Sequence, residues 1–129
     1  MKKEFGRTWN ASKQPRKQRK YSANAPLHVK GTLLGVHLSK LLREKYKTRS
    51  IRVRVGDKVK ILRGSHRGIE NKVERVDLRC SRVFVSKVDS IRKDGTKHMA
   101  PLHPSNLIIT ELNVEDKKRK ARLERGGKA

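Results

Sequence analysis

Val55-Gly56-Asp57-Lys58-Val59-Lys60-Ile61-Leu62-Arg63-Gly64-Ser65-His66-Arg67-Gly68-Ile69-Glu70-Asn71-Lys72-Val73-Glu74-Arg75-Val76 is the stretch that decides how the rest of the chain is read. Val59 and Ile61 share one face of a strand, with Lys58 and Lys60 on the other, the period-two pattern of a half-buried strand. The chain then reverses in a loop punctuated by Gly64 and Gly68, and Val73 and Val76 return toward the same core. Glycine suits both places because it accepts positive φ and lets backbone come close to a phosphate or ribose. Arg63, Ser65, His66 and Arg67 sit among those glycines, where they present charge and donors to one stretch of nucleic-acid backbone. Asp57, an acid after glycine in a strand-leading turn, reads as a turn former and not as a catalytic group.

Working outward, the spacing predicts five short strands over 51–55, 59–62, 72–76, 82–88 and 107–112, separated by turn residues. Closely spaced short strands of this kind predict a small closed or nearly closed barrel, which removes exposed sheet edges. Asp94-Gly95 is the strongest hairpin signal and predicts a type I′ turn, with Lys93 and Lys97 straddling its tip. Ahead of the barrel, apolar residues at 38, 41, 42 and 46 predict a helix near 40–46 capped by Ser39. The expected division is a basic disordered arm over 1–26, a linker with that short helix over 27–50, the barrel over 51–112 and a basic tail over 113–129. In the tail Glu115 and Asp116 precede a run of Lys and Arg, the order that complements a helix dipole, with Asn113 as the expected cap. So few apolar residues lie there that such a helix is expected to form against a partner. Phe5, Trp9 and Tyr21 fall in the arm and are expected to have no anchoring role.

Charge sets the class of partner. The 129 residues carry 35 Lys and Arg against 12 Asp and Glu, a formal net charge of +23. Self-repulsion of that size opposes a compact state unless a polyanion neutralises it, which points to nucleic acid. Aromatic residues make up 4% of the chain, too few for the extended stacking platforms of single-strand binders, so structured, double-helical nucleic acid held by its phosphates is the expected target. Cys80 is the only cysteine, which excludes disulfide frameworks and cysteine-based zinc modules. The five histidines show no ligand spacing, no serine stands in a nucleophile elbow, and no apolar run approaches a membrane span. No cofactor, metal, membrane or small-molecule substrate is expected, and the expected location is the cytoplasm.

The quoted segment resembles the KOW motif. Its flanks resemble one particular carrier of that motif: Ser12 to Lys20, Asn24-Ala25-Pro26-Leu27-His28, Leu38 to Tyr46, and Leu102-His103-Pro104-Ser105-Asn106. Together they are similar to the archaeal and eukaryotic family of the universal large-subunit ribosomal protein twenty-four, over about Ser12 to Arg125. The resemblance implies an SH3-like barrel with basic extensions that binds the 5′ region of large-subunit rRNA. It also implies help in early subunit assembly, a place near the exit of the nascent-chain tunnel, and neighbouring large-subunit proteins as partners. Three departures stand out, one being that residues 1–11 lie ahead of the matching region and are assigned no role. Asn71 replaces a third glycine of the motif, which its tolerance of left-handed backbone accommodates, and Gly35-Val36-His37 replaces a segment that often contains Ala-Pro. The residues expected to contact RNA are Lys13, Arg16, Lys17, Arg19 and Lys20 in the arm, and His28, Lys30, Lys47 and Arg49 in the linker. In the barrel they are Arg63, Gly64, Ser65, His66, Arg67, Gly68, Arg79, Arg82, Lys93, Lys97, His103 and Ser105. A KOW-bearing transcription elongation regulator is the rival reading, although such a factor needs a second domain that 129 residues do not hold. An RNA-modifying enzyme lacks a nucleophile, metal cluster or cofactor loop in this sequence.

Overall fold

The computed structural model describes residues 5 to 126. Its framework is one mixed sheet of six strands: β1 (Gly35–Leu38), β2 (Ser50–Arg52), β3 (Lys58–Ile61), β4 (Glu70–Asp77), β5 (Arg82–Val85) and, after a separate hairpin of β6 (Asp89–Ile91) and β7 (Lys97–Met99), β8 (Leu107–Glu111). The spatial order is β2-β1-β8-β3-β4-β5, with β1 parallel to β8 and the other pairs antiparallel. Alternation fills the core: Val59 and Ile61 of β3 are buried while Lys60 between them is exposed, and Val36 and Leu38, Val83 and Val85, and Leu107 and Ile109 repeat the pattern.

Several expectations change here. The sheet begins at Gly35, inside the stretch expected to be a linker, because Val36 and Leu38 bury their side chains while β1 pairs with β2 and β8. The strand expected over 51–55 ends at Arg52, where a turn closes: the Arg54 N–H donates to Asp57 Oδ2 (2.8 Å), Gly56 has φ 90°, and Val55 points to solvent. Asn71 lies in β4 opposite Val59, outside the positive-φ positions, so extended backbone and not left-handed tolerance explains it. At Asp94-Gly95 the hairpin is present, but only Gly95 has positive φ (82°), and its N–H donates to the Arg92 carbonyl while the Arg92 N–H donates to Thr96. That is a type I turn completed by a glycine bulge, not a type I′ turn.

The sheet is open, with β2 and β5 at its edges. β5 is shielded by an isolated bridge in which Val83 and Leu102 exchange both backbone hydrogen bonds (2.9 Å each), and β2 is only three residues long. Short or covered edges resist pairing with another chain. Register shifts in β3 against β8 and in β4 against β5 bend the sheet over its core.

Four helices surround it: α1 (Pro15–Asn24), α2 (Leu27–Lys30), α3 (Lys40–Tyr46) and α4 (Lys117–Gly126). α3 matches its expected span, and the Ser39 hydroxyl accepts the Leu42 N–H (3.5 Å) as its cap. α1 occupies much of the arm expected to be disordered. Pro15 presets its first turn, and the Ser12 hydroxyl accepts the Gln14 N–H at 3.2 Å while its carbonyl accepts the Gln18 side chain at 2.6 Å. In the tail Asp116, not Asn113, caps α4 by accepting the Lys118 N–H (2.9 Å). The partner against which α4 forms is this chain's own sheet: Leu123 enters the core, and Arg119 is buried against Asp57.

Replacing Leu123 by Ala removes a fully buried side chain and is expected to cost about 2–5 kcal/mol of unfolding free energy in urea. Arg122→Ala, on the exposed face of the same helix, should stay within about 0.5 kcal/mol. Equal small effects would mean that α4 does not dock.

Candidate nucleic-acid interface

The reversal between β3 and β4 is built as a rigid tip. The Gly68 N–H donates to the Ile61 carbonyl and the Ile61 N–H to that of Ile69, both at 2.9 Å, while Arg67 closes an inner turn on Gly64 (3.1 Å). Gly64 (φ 99°) and Gly68 (φ 91°) hold backbone that a side chain opposes, yet nothing lies within 4 Å of where a Cβ would stand at either. Glycine is therefore needed for backbone geometry, and the space beside it is open to a ligand. Arg63, Ser65 and Arg67 are exposed and His66 is half-buried.

A second group converges from distant parts of the chain. Arg19 of α1, Lys30 of α2, Arg79 and Arg82 at the turn between β4 and β5, and His103 line one concavity. The Lys30 ammonium donates to the Arg79 carbonyl (3.2 Å), which fixes α2 against that turn. The turn is shaped by Asp77, whose carboxylate accepts the N–H groups of Arg79 (2.8 Å) and Cys80 (3.2 Å). The backbone bond from Cys80, helped by that from Arg79, holds the Asp77 carboxyl below the usual carboxylate range. His103 Nδ1 accepts the Ser105 N–H (3.3 Å) and lies 2.7 Å from its hydroxyl, so this pair also shapes the turn before β8.

The other expected residues do not join a single cluster. Lys13, Arg16, Lys17 and Lys20 are exposed on and before α1, and His28 is exposed on α2. Lys47 ends α3 in the left-handed conformation (φ 51°), with Arg49 exposed just beyond it. Lys93 and Lys97 flank the β6–β7 tip, where Asp94 accepts from the Thr96 hydroxyl and N–H and is thereby held below its ordinary pKa.

One basic groove is absent from the expected set. Arg52 and Arg54 on and after β2 face Lys118, Arg122 and Arg125 of α4, and the depression continues past Arg52 and Arg122 to His28 and Ser50. The Arg54 guanidinium pairs with Asp116, while Arg52 lies over Gly31, where a Cβ would stand 2.6 Å from its guanidinium. These residues are about seventy positions apart, so only the docking of α4 makes them neighbours. Elsewhere acids neutralise bases locally: Lys58 lies 2.8 Å from Glu111 and 3.7 Å from Glu70, and the Glu111 hydrogen bond chiefly raises its pKa. Among the described residues no three His, Cys, Asp or Glu side chains gather to hold a metal, and no helix is long and apolar enough to cross a membrane.

Residues 12–126 match the family model that describes the eukaryotic L26 and archaeal L24 ribosomal proteins. A protein of Methanosphaera stadtmanae named large ribosomal subunit protein uL24 is 50% identical over 88% of this chain and 97% of its own length. Its namesake in Methanospirillum hungatei is 53% identical over 87% and 93%, and that in Methanosarcina barkeri 45% identical over 88% and 98%.

Gly68→Val forces a β-branched residue to φ 91° without a steric clash. It should cost about 1–3 kcal/mol of unfolding free energy, all of it from the backbone. A loss below about 0.5 kcal/mol in urea denaturation would show that the loop relaxes freely.

Proposed function

Because the chain belongs to the family of eukaryotic L26 and archaeal L24 ribosomal proteins, we propose that its work in the large ribosomal subunit is to hold folded rRNA by the phosphates of neighbouring RNA segments. The role is structural and located in the cytoplasmic ribosome, with rRNA and adjacent ribosomal proteins as partners. The observation that carries this reading is the state of its cations. Among the described residues only Arg54, Lys58 and Arg119 lie within ion-pair distance of a carboxylate. Most of the other described Lys and Arg side chains are exposed and face no described carboxylate, which leaves them to an external polyanion, and guanidinium groups bridge two phosphates in a fixed fork.

The bent sheet, with its two register shifts and the glycine loop at one end, supports reading it as a partly open SH3-like barrel of the KOW type. On this reading the Arg63–Gly68 loop, the Arg79, Arg82 and His103 concavity and the Lys93 and Lys97 tip each take phosphate. The α1 arm, with Lys13, Arg16, Lys17, Arg19 and Lys20, follows the RNA outward, as do His28, Lys30, Lys47, Arg49 and Ser105 nearer the sheet. Binding at the 5′ region of the rRNA, help in early assembly and a place by the tunnel exit rest on the family resemblance and belong to the same proposal.

Affinity for large-subunit rRNA should fall steeply with salt, with a log–log slope of about 0.7 to 0.9 for each phosphate neutralised. A flat response would contradict the proposal. Deleting residues 1–26 should weaken binding and lower the slope while keeping a cooperative melt, since Ala25 is the only buried residue there among those described. Arg67→Ala should cost about one phosphate contact, less than Gly68→Val, which misplaces the whole loop.

A further inference from the structure

Residues ahead of the family match pack against α1, which lies inside that match, to build a surface apart from the sheet. The Trp9 ring stacks on Tyr21 of α1 at 4.0 Å between centroids and 17° between planes, and Phe5 meets the same ring at 5.0 Å and 40°. These are three of the five aromatic residues in the chain. None belongs to the hydrophobic core, and α1 buries no residue at all. An aromatic cluster that served only to pin the segment would have no need of cations around it. Instead Lys17, Lys20 and Asn24 line a concavity with Phe5, Trp9 and Tyr21, and Arg7 and His28 line a second one that shares Phe5 and Tyr21 with it. Among the described residues no acidic side chain lines either of them.

We propose that this cluster takes an unpaired nucleotide of single-stranded RNA. A base stacks against the aromatic rings, its flanking phosphates meet Lys17 and Lys20 on one side and Arg7 on the other, and the Asn24 amide offers a donor and an acceptor to the base edge. The low aromatic content excludes an extended stacking platform, but three rings gathered in one place suffice for a single base. The inference rests on the RNA-binding reading above and adds to it a class of RNA, a splayed-out base, that phosphate contacts alone do not select.

Trp9 is the only tryptophan, so its emission reports on this cluster alone. The full chain is titrated at one salt concentration with an oligoadenylate of about 8 nucleotides and with a fully paired RNA duplex of equal length. Binding is read independently from the anisotropy of labelled RNA. The single strand should quench Trp9 and the duplex should bind without quenching. Tyr21→Ala should weaken single-strand binding about 5- to 150-fold and leave duplex binding and the thermal melt unchanged, while Tyr21→Phe restores single-strand affinity. The same Trp9 response to both RNAs, or an unchanged single-strand affinity in Tyr21→Ala, overturns the inference, as a patch that docks on protein would require. Failure of the unaltered chain to bind either RNA overturns the RNA-binding reading along with it.

Discussion

A carboxylate with no solvent exposure, Asp57, faces a guanidinium that is 5% exposed, Arg119, through two contacts of 2.6 Å. Burying such a pair costs several kcal/mol per ion, which is offset only when the remaining hydrogen-bonding sites are filled. Here they nearly are. Asp57 also accepts the N–H groups of Arg54 (2.8 Å) and Asn113 (3.0 Å), and Arg119 also donates to the carbonyls of Asn113 (2.8 Å) and Arg52 (3.3 Å). Only Arg119 Nε is left without a partner. One charge pair thereby fixes the end of β2, the turn into β3, the exit from β8 and the first turns of α4.

The placement of charge elsewhere follows from that clamp. Arg119 is the one cation that the described fold buries, and its positive charge is cancelled where it sits. α4 is held so that Leu123 faces the core while Lys118, Arg122 and Arg125 face the groove beside Arg52. The cost of this arrangement is self-repulsion among unpaired cations, which bound polyanion relieves. A sheet with short or shielded edges tolerates the repulsion because its core of alternating Val, Ile and Leu residues is contiguous across the strands. Stability and binding are thus assigned to different faces of the same strands, as Val59 and Ile61 against the exposed Lys60 illustrate.

Local physics makes part of this legible in the sequence. α3 is readable from its spacing and from Ser39, β3 and β8 from alternation, and the glycine loop from its punctuation, because each depends on residues within a few positions. β1 is not, since a four-residue strand with two buried side chains owes its existence to β2 and to β8, some seventy residues away. Arg119 looks like any other residue in the basic run from Lys117 to Arg125, and nothing local marks it as the partner of Asp57. The Arg52 and Arg122 groove is invisible for the same reason. Asp57 reads as a turn former, which its bond from the Arg54 N–H bears out, but its second role depends on a helix about sixty residues downstream. Trp9 and Tyr21 read as passengers because their neighbours are polar, whereas a helix begun by Pro15 brings them face to face.

A double-mutant cycle across Asp57 and Arg119 tests the clamp most directly. Unfolding free energies are measured in urea for the unaltered chain, Asp57→Asn, Arg119→Met and the double variant. Each single substitution should cost about 3–5 kcal/mol, because it strands the opposite charge or its hydrogen bonds in the core. The double variant should cost clearly less than the two together, leaving a coupling energy of about 1–3 kcal/mol. Single effects that add to within about 0.5 kcal/mol would mean that α4 is held by apolar contact alone, and that the buried pair does not organise the fold.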